Sequence, residues 1–192
     1  MNAPFRLAPA PERVKLSVDD FLLLNDSGAF DGWRKIELID GEIWGMNAQW
    51  SRHARAKSRL ALELGLALRR LGSDLEAIVE VAVRVAPDSA PEPDIVVTSH
   101  RGEREVPAQT VALLVEVSDT TLSRDLGRKA ELYAAAGVPE YWVIDVNDER
   151  ILIHHGPAGG RYRQHTEVAF GASLAAITIP GLHLGTVRLV ER

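Results

Sequence analysis

The 192-residue sequence predicts an α/β fold: a central mixed β-sheet flanked by helices, with an extra hairpin on its N-terminal side and extra strands at its C-terminal end. Three observations carry this. Short runs rich in Val, Ile and Leu recur along the chain and are separated by two segments with helical periodicity. TVALLVEVS is followed by a helix-length stretch and then by EYWVIDV, the order expected of two parallel strands joined by a crossover. The chain is also long enough for one domain with a sizeable core and too short for two comfortable ones.

Residues 1–15 read as a loose leader, because prolines at 4, 9 and 11 and arginines at 6 and 13 break any apolar run; residues 16–192 are expected to form a single domain. In SVDDFLLLND, Ser17 is placed to cap a short helix and Asp20 stands where a capping box puts an acceptor. RKIELIDGEIW holds two short apolar segments around Asp40-Gly41, a hairpin signal. A longer helix runs from about Ser51 to Leu71 and is stopped by Gly72. Strands are expected at LEAIVEVAVRV, DIVVT and TVALLVEVS. A helix from about Thr121 to Ala136 ends at Gly137 and Pro139, and EYWVIDV follows as a strand. ERILIHH and RYRQHTEV read as a hairpin across GPAGG, and TIPGLHLGTVRLV closes the chain.

Composition excludes several classes of function. No apolar run reaches the length of a membrane-spanning helix. The chain has no cysteine, so it can carry neither a disulfide framework nor thiolate metal ligands, and a cytoplasmic location is expected. A net charge of −5 rules out a uniformly basic surface while leaving room for a local patch. There is no P-loop, no HExxH and no G-x-S-x-G elbow. With 6% aromatic residues, sugar-stacking platforms are few, which disfavours a glycoside hydrolase.

Two charges stand where burial is expected. In VALLVEVS, alternation puts Ala112, Leu114, Glu116 and Ser118 on one face and Val111, Leu113, Val115 and Val117 on the other. A carboxylate on so apolar a strand needs a cation. On the following helix Leu122, Leu126, Lys129, Tyr133 and Ala136 share a face, so Lys129 points to the sheet while Arg124, Arg128 and Glu131 point elsewhere and Asp125 flanks it. Lys129 could also snorkel outward or pair with Asp125. A third charge, Asp94 after Pro93, opens the strand DIVVT; as a lone feature it could be a turn residue. Two carboxylates at about 4 Å repel by roughly 4 kcal/mol at an effective dielectric near 20. An oxygen-ligated Mg2+ or Mn2+ removes that penalty, and a nearby lysine can orient water or hold a phosphate oxygen. Asp94, Glu116 and Lys129 therefore suit phosphodiester hydrolysis.

IELIDGEI, PEPDIVV and LLVEVSDTTLSRDLGRKAELYAAAGVPEYWVID resemble the Uma-two family of restriction-endonuclease-like proteins, within the PD-(D/E)XK nuclease superfamily. The likeness runs from about Leu16 to Val190. It implies a restriction-endonuclease-like core whose acids bind Mg2+ (or Mn2+) at one end of the sheet, with Asp94 and Glu116 as metal-binding catalytic acids and Lys129 as the catalytic lysine. The strand element reads Glu116-Val117-Ser118, so serine occupies the place where the wider superfamily has its lysine, and the helix is implied to supply the charge.

Glu37 belongs to the IELIDGE segment and could reach the metal or lie on the hairpin surface. His53 shares the helix face of Leu60, Leu64 and Leu71, and is either a core histidine bonded to a carbonyl or part of the site. Arg52, Arg55, Arg59 and Arg70 lie on a common face of that helix, within a stretch of six basic residues against Glu63; the stripe could contact DNA or be a solvated face. The leading expectation is thus a Mg2+-dependent endonuclease acting on DNA, without membrane attachment. A two-fold homodimer would be the simplest way to cut both strands. The alternative is a non-catalytic module that keeps the nuclease fold, binds DNA or a protein, and uses the three charges only to neutralise one another.

Overall fold

The computed structural model describes residues 12–46 and 50–186. Most of the expected leader and the last strand residues, 187–190, lie outside them. Helix α1 (Val18–Asp26) opens with a capping box: the Asp20 amide donates to Ser17 Oγ at 3.1 Å and the Ser17 amide donates to Asp20 at 3.0 Å. The hairpin β1 (Lys35–Ile39) and β2 (Glu42–Met46) turns at Asp40 and Gly41, whose φ angles of 52° and 76° are those of a two-residue turn that favours glycine. The hairpin is hydrogen-bonded elsewhere: the Ala90 amide donates to the Leu38 carbonyl at 2.8 Å, and at the turn the Gly41 amide donates to the Asp88 carbonyl at 2.7 Å. Helix α2 (Ser51–Arg70) ends before Gly72.

LEAIVEVAVRV is not one strand. It splits into β3 (Glu76–Val79) and β4 (Val83–Arg84) because Glu80 adopts a φ of 51°, which ends the extended run. Strand β5 (Ile95–Thr98) follows, then β6 (Val106–Pro107), paired in parallel with β4. Next come β7 (Val111–Ser118), the crossover, and β8 (Glu140–Asp145). The trailing hairpin is longer than its apolar segments suggest: β9 (Arg150–Ala158) and β10 (Arg161–Ala169) run through Gly156 and Pro157 and turn at Gly159-Gly160. A small separate sheet, β11 (Ser173–Ala175) and β12 (His183–Gly185), completes the described chain.

The central sheet has the order β10-β9-β8-β7-β5-β3. Only β7 and β8 pair in parallel; the other neighbours are antiparallel, so the sheet is mixed as expected. The crossover from β7 to β8 is built from α3 (Leu122–Arg124), a wide π turn at Asp125–Lys129 and α4 (Ala130–Ala135), with Gly127 taking a non-helical ψ of −106°.

One face of the sheet packs Leu113, Val115, Val117, Trp142 and Ile144 against Leu60, Leu64 and Leu68 of α2. The other packs Leu114, Tyr141 and Val143 against Ala130, Tyr133 and Ala134 of the crossover. The alternation expected along β7 holds from Leu113 onward but breaks before it. Val111 joins the crossover side and Ala112 the α2 side, because the β5–β7 register shifts between Val97 and Thr98. Leu71, expected on the α2 core face, is exposed where the helix has already ended.

Glu140 is fully buried at the start of β8 and ties the C-terminal segment to the sheet. It accepts from Trp142 Nε1 at 2.7 Å, from the Ile177 amide at 2.9 Å, and from the amide and hydroxyl of Thr178 at 2.7 Å each. Truncation leaves those donors without an acceptor. Glu140→Ala is expected to lower unfolding free energy by about 3 kcal/mol or more, measured by equilibrium urea denaturation.

Candidate active site

Asp94 directly precedes β5, which pairs antiparallel with β7 through Ile95 and Val115. Continuing that register by one residue places Asp94 opposite Glu116, and opposed residues of an antiparallel pair share a face. The Val117 amide fixes the aspartate by donating to its Oδ2 at 2.8 Å. Its other oxygen lies 3.3 Å from His53 Nε2, 3.7 Å from Lys35 Nζ and 3.9 Å from Lys57 Nζ. Burial alone would raise the Asp94 pKa. The His53 hydrogen bond, the charges of Lys35 and His53 and the Val117 amide outweigh it and hold the carboxyl well below the usual range.

Glu116 meets the crossover from the next strand. Its Oε1 accepts from Lys129 Nζ at 2.8 Å and from Tyr133 Oη at 2.9 Å, both donors being buried. Lys129 Nζ also donates to Glu37 Oε1 at 2.7 Å. Glu37 further accepts from the Glu92 amide at 3.0 Å and from an Arg124 Nη at 3.0 Å. Burial pushes the Glu116 carboxyl up to about 8, against the pull of the Lys129 ammonium. Burial would lower the Lys129 pKa, but the charges of Glu116, Glu37 and Asp125 keep it protonated, well above its ordinary value. Glu37 is likewise opposed by burial, yet Lys129, Lys35 and Arg124 hold it below its ordinary value.

The π turn explains how Lys129 gets there. Asp125 and Lys129 bound it and both are buried. Asp125 is held by hydroxyl donors from Ser118 at 2.5 Å and Thr121 at 2.6 Å. Ser118 thus anchors the turn that carries Lys129. Asp94, Glu116, Lys129 and His53 open on one cavity of about 160 Å3, to which Lys35 and Arg124 also contribute.

The side chains singled out from the sequence are therefore neighbours. His53 contacts Asp94 and not a carbonyl. Glu37 is buried under Lys129, so it does not lie on the hairpin surface. Lys129 pairs with the two glutamates and makes no ion pair with Asp125. Arg124, expected to point away, instead reaches Glu37 and lies with its guanidinium 4.7 Å from the Trp44 ring centre. The departure from helical geometry around Gly127 is what the helical wheel could not contain.

Lys35 and Lys57, which are not among the expected site residues, also approach Asp94. Both signals were present: Lys35 and Glu37 alternate onto one face of β1, and His53, Lys57, Leu60 and Leu64 follow helical spacing. Lys57 is consequently buried and bonded to Glu80, so it does not belong to the outer basic stripe. From that stripe Arg52 reaches Asp119 and Asn147, each at 2.6 Å, beside the cavity.

The family model described as "Uma2: Putative restriction endonuclease" matches residues 18–187. The chain belongs to this family. A crystal structure described as a putative nuclease belonging to DUF820 from Anabaena variabilis aligns with this Uma2 chain at a TM-score of 0.64. It covers 91% of this chain and 97% of that one at 16% identity, a likeness that establishes the fold. No curated protein matches the chain significantly. The Uma2 membership agrees with the resemblance carried by the IELIDGEI, PEPDIVV and Glu116–Asp145 segments.

Removing the central ammonium leaves buried Glu116 without its ion-pair partner, while Glu37 keeps Arg124. Lys129→Met is expected to cost about 3–5 kcal/mol of stability near pH 8. A carboxyl whose folded pKa lies above its unfolded value loses stability as pH rises through the folded value. The deficit should therefore shrink towards pH 5, where Glu116 is protonated; urea unfolding at the two pH values measures it.

Proposed function

We propose that this Uma2 protein is a divalent-metal-dependent endonuclease that hydrolyses phosphodiester bonds of DNA with water as the nucleophile. The observation that carries the reading is the convergence of Asp94 and Glu116, from neighbouring strands, on one cavity that also receives Lys129.

The donor set fits a hard cation. Among the described residues no group of three or more His, Cys, Asp or Glu side chains is arranged to hold a metal, so an ion would rest on two carboxylates. Mg2+ accepts that, since it binds through one or two carboxylates and keeps several waters. Glu116 uses Oε1 for both Lys129 and Tyr133, and the residue lines the cavity. Asp94 and Glu116 would hold the Mg2+ or Mn2+, which when bound polarises a phosphoryl oxygen and lowers the pKa of coordinated water.

The remaining work falls to the chain. Lys129 has three N–H donors, of which Glu37 and Glu116 engage two. The third is available to the cavity, where in-line displacement builds negative charge on phosphoryl oxygens. Glu37 and Arg124 keep the ammonium in place, and the Val117 amide with His53 orients Asp94. Burial strengthens these interactions, because the local dielectric is low.

Supercoiled plasmid should be nicked or linearised by the wild type with Mg2+ or Mn2+, and Asp94→Asn and Lys129→Ala should each reduce the rate by about a hundredfold or more. Activity retained in both variants would sink the assignment.

The raised pKa of Glu116 adds a pH signature. Below about 8 the carboxyl holds a proton that a cation must expel. Apparent Mn2+ affinity is expected to climb with pH by up to about tenfold per unit and to level off above the Glu116 pKa. Thermal shift at a series of pH values reads this, and Asp94→Asn should abolish the response. No cation-dependent shift at any pH would favour the non-catalytic module.

A further inference from the structure

Aromatic surface stands at the cavity mouth that the chemistry on its floor leaves unused. Trp50, immediately before α2, is 73% exposed and lines the cavity. Trp44 on β2 is 46% exposed and carries the Arg124 guanidinium near its ring. Alternation along β2 puts Met46, another cavity-lining side chain, on the face of Trp44. Of the other two tryptophans, Trp142 is core. Trp33 covers Gly45 on the opposite face of the hairpin, where an added Cβ would meet its ring at 2.6 Å. Trp33 therefore has a packing task, whereas Trp44 and Trp50 leave large apolar faces in water beside one opening.

Charge around that opening is sorted by depth. Arg34 and Arg52 leave about half of their side chains to solvent and Arg124 about a quarter, while Asp94 and Glu116 on the floor are almost wholly covered. The rim arginines have acid partners: Glu80 for Arg34, Asp119 for Arg52 and Glu37 for Arg124. Those partners are less exposed than the arginines they hold, so guanidinium groups face outward. A polyanion that also offers flat aromatic faces matches both features.

We infer that Trp44 and Trp50 form a stacking subsite for unpaired nucleobases, and that the substrate is single-stranded or locally melted DNA and not an intact duplex. This rests on the nuclease reading and names the substrate class for the same site. Bases in a duplex are stacked on one another and present only edges and phosphates, so an indole ring has no face to meet. In a single strand every base offers a π-face, and stacking on aromatic side chains beside a basic track is sequence-tolerant. Arg124 stands over the Trp44 ring, and nearly half of the tryptophan remains exposed beside it. Through Glu37 the same arginine connects to Lys129, so the base platform and the buried ammonium are held by one chain of hydrogen bonds.

The test uses the whole protein in EDTA, so that nothing is cleaved. A labelled oligonucleotide is titrated as a single strand and as the duplex with its complement, by anisotropy and by quenching of tryptophan emission. The wild type is expected to bind the single strand about tenfold or more tightly than the duplex and to show quenching. The Trp44→Ala/Trp50→Ala double variant should lose the preference, and the corresponding double phenylalanine variant should recover most of it. Equal affinity for both forms, a preference that survives in the double alanine variant with its circular dichroism unchanged, or no binding of either form overturns the subsite. The last result would direct attention to a protein partner for the exposed rings. Plasmid cleavage with metal is read separately. Cleavage without a single-strand preference removes the subsite and leaves the nuclease reading intact, whereas the preference without cleavage sustains the subsite and removes the nuclease reading.

Discussion

The structure around the site is organised by the cost of facing two carboxylates across neighbouring strands at the covered end of a sheet. Asp94 and Glu116 are both almost fully buried, and an uncompensated buried charge costs several kcal/mol after relaxation. Each is answered in a different way. Asp94 receives neutralisation from a distance, from Lys35 and Lys57, and direct hydrogen bonds from an amide and a histidine. Glu116 receives one ammonium and one phenol on the same oxygen. The first carboxyl is therefore held ionised, while the second is left with a raised pKa. Two acids in one cavity with pKa values pushed apart are what proton-coupled ligand binding needs.

Meeting that cost requires elements distant in sequence. Glu37 holds Lys129 from the N-terminal hairpin, so the hairpin must be fastened, and its bonds to Ala90 and Asp88 do this at the loop that leads to Asp94. The π turn is a second requirement. A regular helix through Asp125–Lys129 would keep Arg124 on the outer face; the wide turn at Gly127 lets Arg124 reach Glu37 while Lys129 reaches Glu116. π turns inserted in helices are frequently found at functional sites, and here the acid of the turn, Asp125, is satisfied by Ser118 and Thr121.

Much of this was legible in the sequence because it follows from period and polarity. The order of strands and helices gave the mixed sheet, Asp40-Gly41 gave the hairpin, and an acid on an apolar strand followed by a lysine on an apolar helix face pointed to Glu116 and Lys129. What stayed hidden depended on departures from ideal geometry. Glu80 breaks a strand by adopting positive φ, which few non-glycine residues do. Gly127 widens a helix that its neighbours would have kept regular. The bulge opposite Thr98 changes which face Val111 and Ala112 share. Lys57 belongs to a different category: its spacing from His53 and Leu60 marks it as inward, but a lone lysine within a basic stretch does not stand out from its neighbours.

Charge balance ties the site to the chemistry proposed for it. On the floor, Asp94, Glu116, Glu37 and Asp125 face Lys35, Lys57, Lys129 and Arg124, so four carboxyl groups meet four cationic groups. A dication entering below pH 8 displaces the proton of Glu116 and so adds a single net positive charge. With Glu116 protonated, three carboxylates face the four cations, so the ion raises the site from about one net positive charge to about two, and the single negative charge of a phosphodiester then offsets about half of it. An ion alone would leave the buried site with positive charge taken out of water and uncompensated, and a phosphate anion beside it would reduce that charge. In the proposed reaction the electrostatics thus favour an ion accompanied by phosphate over an ion alone, and Glu116, the acid that first looked out of place on its strand, limits the charge added by giving up its proton to the ion.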